Sequence, residues 1–129
     1  MSLMSASVSE RERLAALASY DILDTPPEAS FDRITRLMGW AFEVPTAMVA
    51  FMDAERLWIK ATTGRDASLP REQSFCMHVV MGDHALAVED ARRDPRFADM
   101  SVVAGPSNVR AYAGAPLRTP DGIPIGAVS

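Results

Sequence analysis

The sequence predicts an α+β domain, an antiparallel sheet with helices on its faces. Three observations predict it. Arg110 to Ser129 reads as two small apolar strands around Asp121-Gly122, a dipeptide that turns a hairpin because glycine reaches positive φ without steric cost. Two helical segments precede every strand. The remaining strands are short and their neighbours are joined by tight turns, which favours antiparallel pairing over βαβ crossovers.

In chain order, Ser9-Glu10-Arg11-Glu12 is a capping-box pattern that opens a helix over Glu10–Ser19. Its stripe of Leu14, Leu17 and Ala18 is narrow and suits one partner helix, which predicts a homodimer through Glu10–Ser19. Pro26-Pro27 opens a second helix ending at Phe42, since proline is cheap where a helix starts. Phe31, Ile34, Leu37, Met38, Ala41 and Phe42 recur on one face, predicting the side that packs. Thr46–Asp53 is apolar at both parities, a strand buried on both faces. After a turn at Asp53–Arg56, Leu57–Thr63 alternates, with Leu57, Ile59 and Ala61 on one face and Trp58, Lys60 and Thr62 on the other, which suggests a strand nearer an edge. Gly64–Glu72 is a polar loop. Phe75–Met81 is a short helix closed by Gly82. Leu86–Glu89 is a strand, Asp94-Pro95 opens a helical turn over Phe97–Met100, and Gly105–Asn108 is a loop.

A chain of 129 residues with 48% hydrophobic and 23% charged residues is one folded domain. A net charge of −4 argues against nucleic acid and anionic membrane as partners. No apolar run reaches the length of a membrane helix, and one cysteine, Cys76, fits a cytoplasmic setting. Residues 1–8, beginning Met1-Ser2-Leu3-Met4, read as an appended, disordered N-terminus. The chain stops inside an apolar strand at Ala127-Val128-Ser129, and reads as a piece of something longer.

Cys76-Met77-His78 is where a thiol and an imidazole lie close in sequence. It could be a metal pair, a nucleophile with its base or a covalent attachment point. On a helix, positions i and i+2 point about 200° apart, and free cysteine is often buried, so packing is the principal reading. One Cys with His78 and His84 falls short of a recognisable zinc set. No metal site and no cofactor is predicted, and an unknown small ligand is allowed. Neither GxGxxG nor GxxxxGK occurs. The charged run Asp90–Arg96 reads either as a ligand rim or as a solvated loop pairing within itself. Tyr112 is a core aromatic with a wet tip, or a ligand contact.

Four stretches together resemble the GAF domain family, the ligand-sensing modules of bacterial signalling proteins. They are Arg13-Leu14 through Tyr20–Glu28 with Phe31–Thr35; Ser74–His78; Asp90–Phe97; and Arg110–Leu117 with Asp121-Gly122 and Ile125-Gly126. The resemblance implies a profilin-like sheet of five to six strands in the order 2-1-5-4-3 with helices on both faces. It implies a central strand from Ile125, and a pocket between the sheet and Phe75–Phe97. The ligand-binding candidates are Phe75, Cys76, His78 and Phe97, with Asp90, Arg110 and Tyr112. A completed strand and a C-terminal helix would follow in the family. Bilin-binding relatives attach through Cys directly followed by His, and Met77 intervenes here. The motif of cyclic-nucleotide binders is absent. Methionine sulfoxide reductases of this fold use several cysteines, and a lone Cys76 lacks a resolving partner. The expected function is a non-catalytic regulatory module ahead of a histidine kinase or diguanylate cyclase output domain. The alternatives are a thiol enzyme using Cys76 and a ligand-free dimerisation module.

Overall fold

The computed structural model describes residues 9–64, 69–105 and 109–129. The expectations for residues 1–8, for Arg65–Ser68 within the polar loop and for most of Gly105–Asn108 lie outside them. Six strands form one antiparallel sheet: β1 (Met48–Met52), β2 (Arg56–Thr62), β3 (Leu69–Pro70), β4 (Leu86–Val88), β5 (Tyr112–Arg118) and β6 (Pro124–Val128). Their order is β3-β2-β1-β6-β5-β4. This is the expected order with one addition. The polar loop contributes an edge strand, Leu69 pairing with Leu57, before a 3-10 turn at Arg71–Gln73.

The hairpin is as read. The Gly122 N–H donates to the Thr119 carbonyl (2.8 Å), with Gly122 at φ 85°. β6 lies between β1 and β5, pairing Ala127 with Ala50 and Gly126 with Phe51. Two bulges shift the side-chain parity. On β2, Ala61 pairs with Val49 and Ile59 with Ala50, which leaves Lys60 as the extra residue. On β6, Gly126 pairs with Leu117 and Pro124 with Arg118, which leaves Ile125.

One face of the sheet carries α1 (Glu10–Ala18) and α2 (Ala29–Phe42), the other α3 (Cys76–Gly82). The α1 capping box forms: Ser9 Oγ accepts from the Glu12 N–H and Glu12 reaches back. This helix buries Leu17 against Val49, Phe51 and Ile125, and it also buries Arg13 completely. Leu14 is half-buried and Ala18 is exposed. The prolines lie before α2, whose N-cap is Glu28.

The face read as packing on α2 is corrected. Thr35 is its buried residue and Phe31 and Met38 are half-buried, while Ile34, Leu37, Ala41 and Phe42 are exposed. Periodicity marks an apolar stripe without saying what covers it. Lys60 stands on the same side as Trp58, its ammonium 5.9 Å from that ring centroid. Its side chain is fully enclosed, and its ammonium meets Glu28 (2.6 Å), Thr25 Oγ1 (2.7 Å) and the Pro26 carbonyl (2.6 Å). It sits 5.5 Å from the Phe31 ring centroid. The bulge points this cation under the link between α1 and α2, where complete pairing offsets burial.

A buried cation network ties α1 to the far end of the sheet. Arg13 donates to both oxygens of Glu10 (2.7 and 2.9 Å) and to the Met52 carbonyl (2.7 Å). Arg71 donates to Glu10 (2.7 Å) and to the carbonyls of Asp53 and Ala54 (3.0 Å each). The Glu10 carboxyl is held down at about 2, chiefly by the Arg13 hydrogen bonds.

Candidate functional site

The site is built on α3. Ser74 Oγ accepts from the Met77 N–H (3.2 Å), which starts the helix at Cys76. The end differs from the expectation. Asp83, at φ 53°, takes the left-handed position, and Gly82 stays helical. Gly82 lies against the His84 imidazole, 2.9 Å from where a Cβ would stand. Arg118 on β5 fastens that end, donating to the Asp83 carboxylate (2.7 Å) and carbonyl (3.0 Å).

Five of the seven candidates converge. The rings of Phe75 and Tyr112 stack, with centroids 4.7 Å apart and planes 9° apart. Phe75 also meets Phe97 (4.6 Å), and His78 sets its ring edgewise to Phe97 (4.9 Å, 80°). Cys76 is buried, with its sulfur 3.3 Å from the Tyr112 hydroxyl. Aromatic rings thus fill the space between α3 and β5. Asp90 lies apart and closes a 3-10 turn, accepting from the Arg92 N–H (3.0 Å) and side chain. Arg110 donates to the Val103 and Val109 carbonyls (2.9 and 3.1 Å), at the end of α4 (Ser101–Ala104).

The charged run pairs within itself: Arg92 with Asp90 (3.0 Å) and Arg96 with Asp94 (2.7 Å). Exposed pairs of this kind are screened by solvent and contribute little to stability. The helical turn expected over Phe97–Met100 is a series of turns. α4 begins after it, with Met100 as N-cap.

Outside the aromatic layer lies a half-open groove of about 290 Å³ between α3, the start of β4 and the Arg96 loop. Met77 and Met81 line it from successive helical turns, with His78, His84 and Arg96 at its polar side. The Arg96 guanidinium stands 4.8 Å over the buried Phe97 ring, so this groove residue rests on the aromatic layer. Burial, with the Arg96 charge, holds the His78 imidazole below its ordinary range. It is therefore neutral at pH 7. The seven ligand-binding candidates do not include Met77, Met81, His84 or Arg96, although Arg96 lies in the charged run that reads either as a ligand rim or as a solvated loop. The i, i+4 spacing of Met77 and Met81 was the available signal.

Burial pushes the Cys76 thiol up, and its hydrogen bonds to Tyr112 and Ser129 only partly oppose this. Burial and the neighbouring thiol likewise raise the Tyr112 phenol. A protonated, enclosed thiol is a poor nucleophile. Cys76 in the folded chain is expected to react with an aromatic disulfide reagent at least about 100-fold more slowly than in guanidinium. Equal rates would show the sulfur to be accessible.

An antiparallel sheet ordered β3-β2-β1-β6-β5-β4, with a helical face on each side and an aromatic layer under α3, is a profilin-like α+β architecture. The sequence profile of the GAF domain matches residues 26–129, and the chain belongs to that family. It is 34% identical over 120 residues to a cyclic di-GMP phosphodiesterase of Pseudomonas aeruginosa. That match takes in 92% of this chain and 20% of the relative, so the chain spans about a fifth of that protein's length. Among solved structures, the GAF domain of an Acinetobacter phosphoenolpyruvate-protein phosphotransferase superposes with a TM-score of 0.61 at 17% identity. The match covers 99% of this chain and 76% of that one. The type II free methionine-R-sulfoxide reductase of Thermoplasma acidophilum gives 0.63 at 14% identity, covering 87% and 74%. These structural likenesses show a shared fold. No described helix is long and apolar enough to cross a membrane.

Proposed function

We propose that this chain is a non-catalytic regulatory GAF module of a longer bacterial signalling protein, in which a small molecule at α3 adjusts an output domain. The observation that carries the reading is the position of Cys76. The one thiol is enclosed beneath stacked rings and bonded to Tyr112, away from the solvent-open groove. A reductase needs its sulfur where substrate can reach it. The groove instead offers thioethers, two imidazoles and one guanidinium, which suits a small ligand with an apolar body and an anionic end. By kinship with the Pseudomonas relative, an output domain acting on a cyclic dinucleotide is favoured over a histidine kinase.

The route from ligand to output runs through Arg71. It donates to Met81 Sδ (3.4 Å), which lines the groove, and to Glu10 at the start of α1 (2.7 Å). A ligand that moves Met81 changes the partners of Arg71 and so the seating of α1. It shifts the equilibrium only by its differential affinity for the two arrangements.

The test is calorimetric melting with a panel of cyclic mono- and dinucleotides, small carboxylates, amino acids and haem. A compound at 100 times its dissociation constant adds about 2.7 kcal/mol of stability. At least one is expected to raise Tm in the parent and to lose that effect in Arg96→Ala. No shift from any compound, together with methionine sulfoxide reduction abolished by Cys76→Ser, would replace this reading with the enzymatic one.

A further inference from the structure

Met77, His78, Met81 and His84 follow the pattern M-H-x-x-M-x-x-H, and all four line the groove beside α3. Met81 is the centre of the set. It stands one helical turn from Met77, at i+4, and from His78, at i+3, and side chains at those spacings are surface neighbours. His84 lies beyond the helix and folds back over its end. Its Nε2 comes within 2.9 Å of the point where a Gly82 Cβ would stand, and position 82 is one turn on from His78. A side chain from outside the helix thus takes the place that a residue at 82 would fill. The His84 Nδ1–H donates to the Ala85 carbonyl (2.9 Å). In the neutral ring this fixes the tautomer and leaves Nε2 with its lone pair, the arrangement by which a backbone carbonyl orients a metal-ligating histidine.

We propose that Met77, His78, Met81 and His84 together hold one soft monovalent metal ion, Cu(I). The donor set selects the ion. Thioethers favour Cu(I), and imidazole accepts it, whereas zinc takes thiolate, imidazole and carboxylate. Among the described residues no group of three or more His, Cys, Asp and Glu is placed to hold a metal, so the site exists only when the methionine sulfurs are counted. Both methionines are half-buried, and three rotatable bonds let each sulfur close on an ion without moving the helix. Met81 Sδ accepts from Arg71 Nη2 (3.4 Å), a weak bond for a thioether to give up, and Arg71 keeps Glu10 and two carbonyls through Nη1. The Arg96 charge at the groove is balanced by Asp94 (2.7 Å). The ion shares the groove of the small-molecule reading without resting on it. The compound panel contains no copper, so either proposal can fail alone.

Anaerobic calorimetric titration of the 129-residue chain with Cu(I), kept in solution by acetonitrile, should show one ion bound per chain. Met77→Leu and Met81→Leu conserve volume and should keep the fold by circular dichroism, yet each should weaken binding at least about tenfold. Gly82→Ala is the positional test. It keeps every donor and pushes only the His84 ring aside, so it should weaken binding severalfold with the circular dichroism unchanged. An excess of Zn(II) should not displace the ion. A folded parent that takes up no Cu(I) overturns the proposal. Binding that survives the double variant Met77→Leu/Met81→Leu overturns it too, because the ion then sits on other sulfurs. Displacement by Zn(II), or unchanged affinity in Gly82→Ala, contradicts the four-donor soft site and overturns it as well.

Discussion

Gly126→Ala is expected to cost at least about 3 kcal/mol, a fall of roughly 10 °C in Tm for a chain of this size, or to prevent folding. Gly126 sits in the middle of β6, opposite Phe51 on β1 and Leu117 on β5. A Cβ there would run into the Ala50 carbonyl oxygen and stand 3.1 Å from both the Phe51 Cα and its ring. Two of these atoms are backbone of a central strand, so no side-chain rotation relieves the clash. Gly122 supplies the contrast. Its φ of 85° strains an alanine, but nothing lies within 4 Å of an added Cβ. Gly122→Ala should therefore cost only about 1 kcal/mol. Urea unfolding of both variants checks the pair. Equal stability of Gly126→Ala and the parent would contradict the position of β6 between β1 and β5.

Arg13→Ala is expected to cost about 2–3 kcal/mol. Arg13 is wholly buried, and its loss strips the Met52 carbonyl and half of the Glu10 carboxylate of their donors. Removing one member of a buried pair commonly costs 3–5 kcal/mol. The figure is lower here because Glu10 is 37% exposed and keeps Arg71. The network also sets an acid limit. Glu10 titrates near 2 in the fold against 4.5 ordinarily, so its contribution is complete above pH 4.5 and is lost as pH falls towards 2. With that exposure the contribution is about 1–2 kcal/mol. Glu10→Gln should be less stable than the parent at pH 7 and should flatten stability between pH 4.5 and 2. Parallel pH profiles would show that Glu10 is not held by the two arginines.

Much of the architecture is legible in the chain itself. The capping box at Ser9, the Asp121-Gly122 turn and the short strands define the α1 start, the β5–β6 hairpin and the antiparallel order. The GAF resemblance adds the central place of β6. Other features depend on long-range geometry. A bulge is invisible to alternation, so nothing local says that Lys60 will be enclosed, and Ile125 keeps a parity that it loses in the sheet. Nothing local says that Arg13 and Arg71 will be received by backbone carbonyls at the end of β1 and in the turn after it. The aromatic layer is half legible. Phe75, Cys76 and His78 announce themselves together, and Phe97 and Tyr112 join them only through the fold. Asp90 and Arg110 share the ligand-facing half of the sequence, yet each is engaged with nearby backbone.

The most direct test of the regulatory reading is a methyl NMR titration with methionine as the reporter. Met77 and Met81 line the groove and Met38 lies on α2. With whichever panel compound raises Tm, the account predicts that the Met77 and Met81 resonances shift with saturation and that Met38 does not. Saturable shifts confined to Met38, with Met77 and Met81 unmoved, would contradict it.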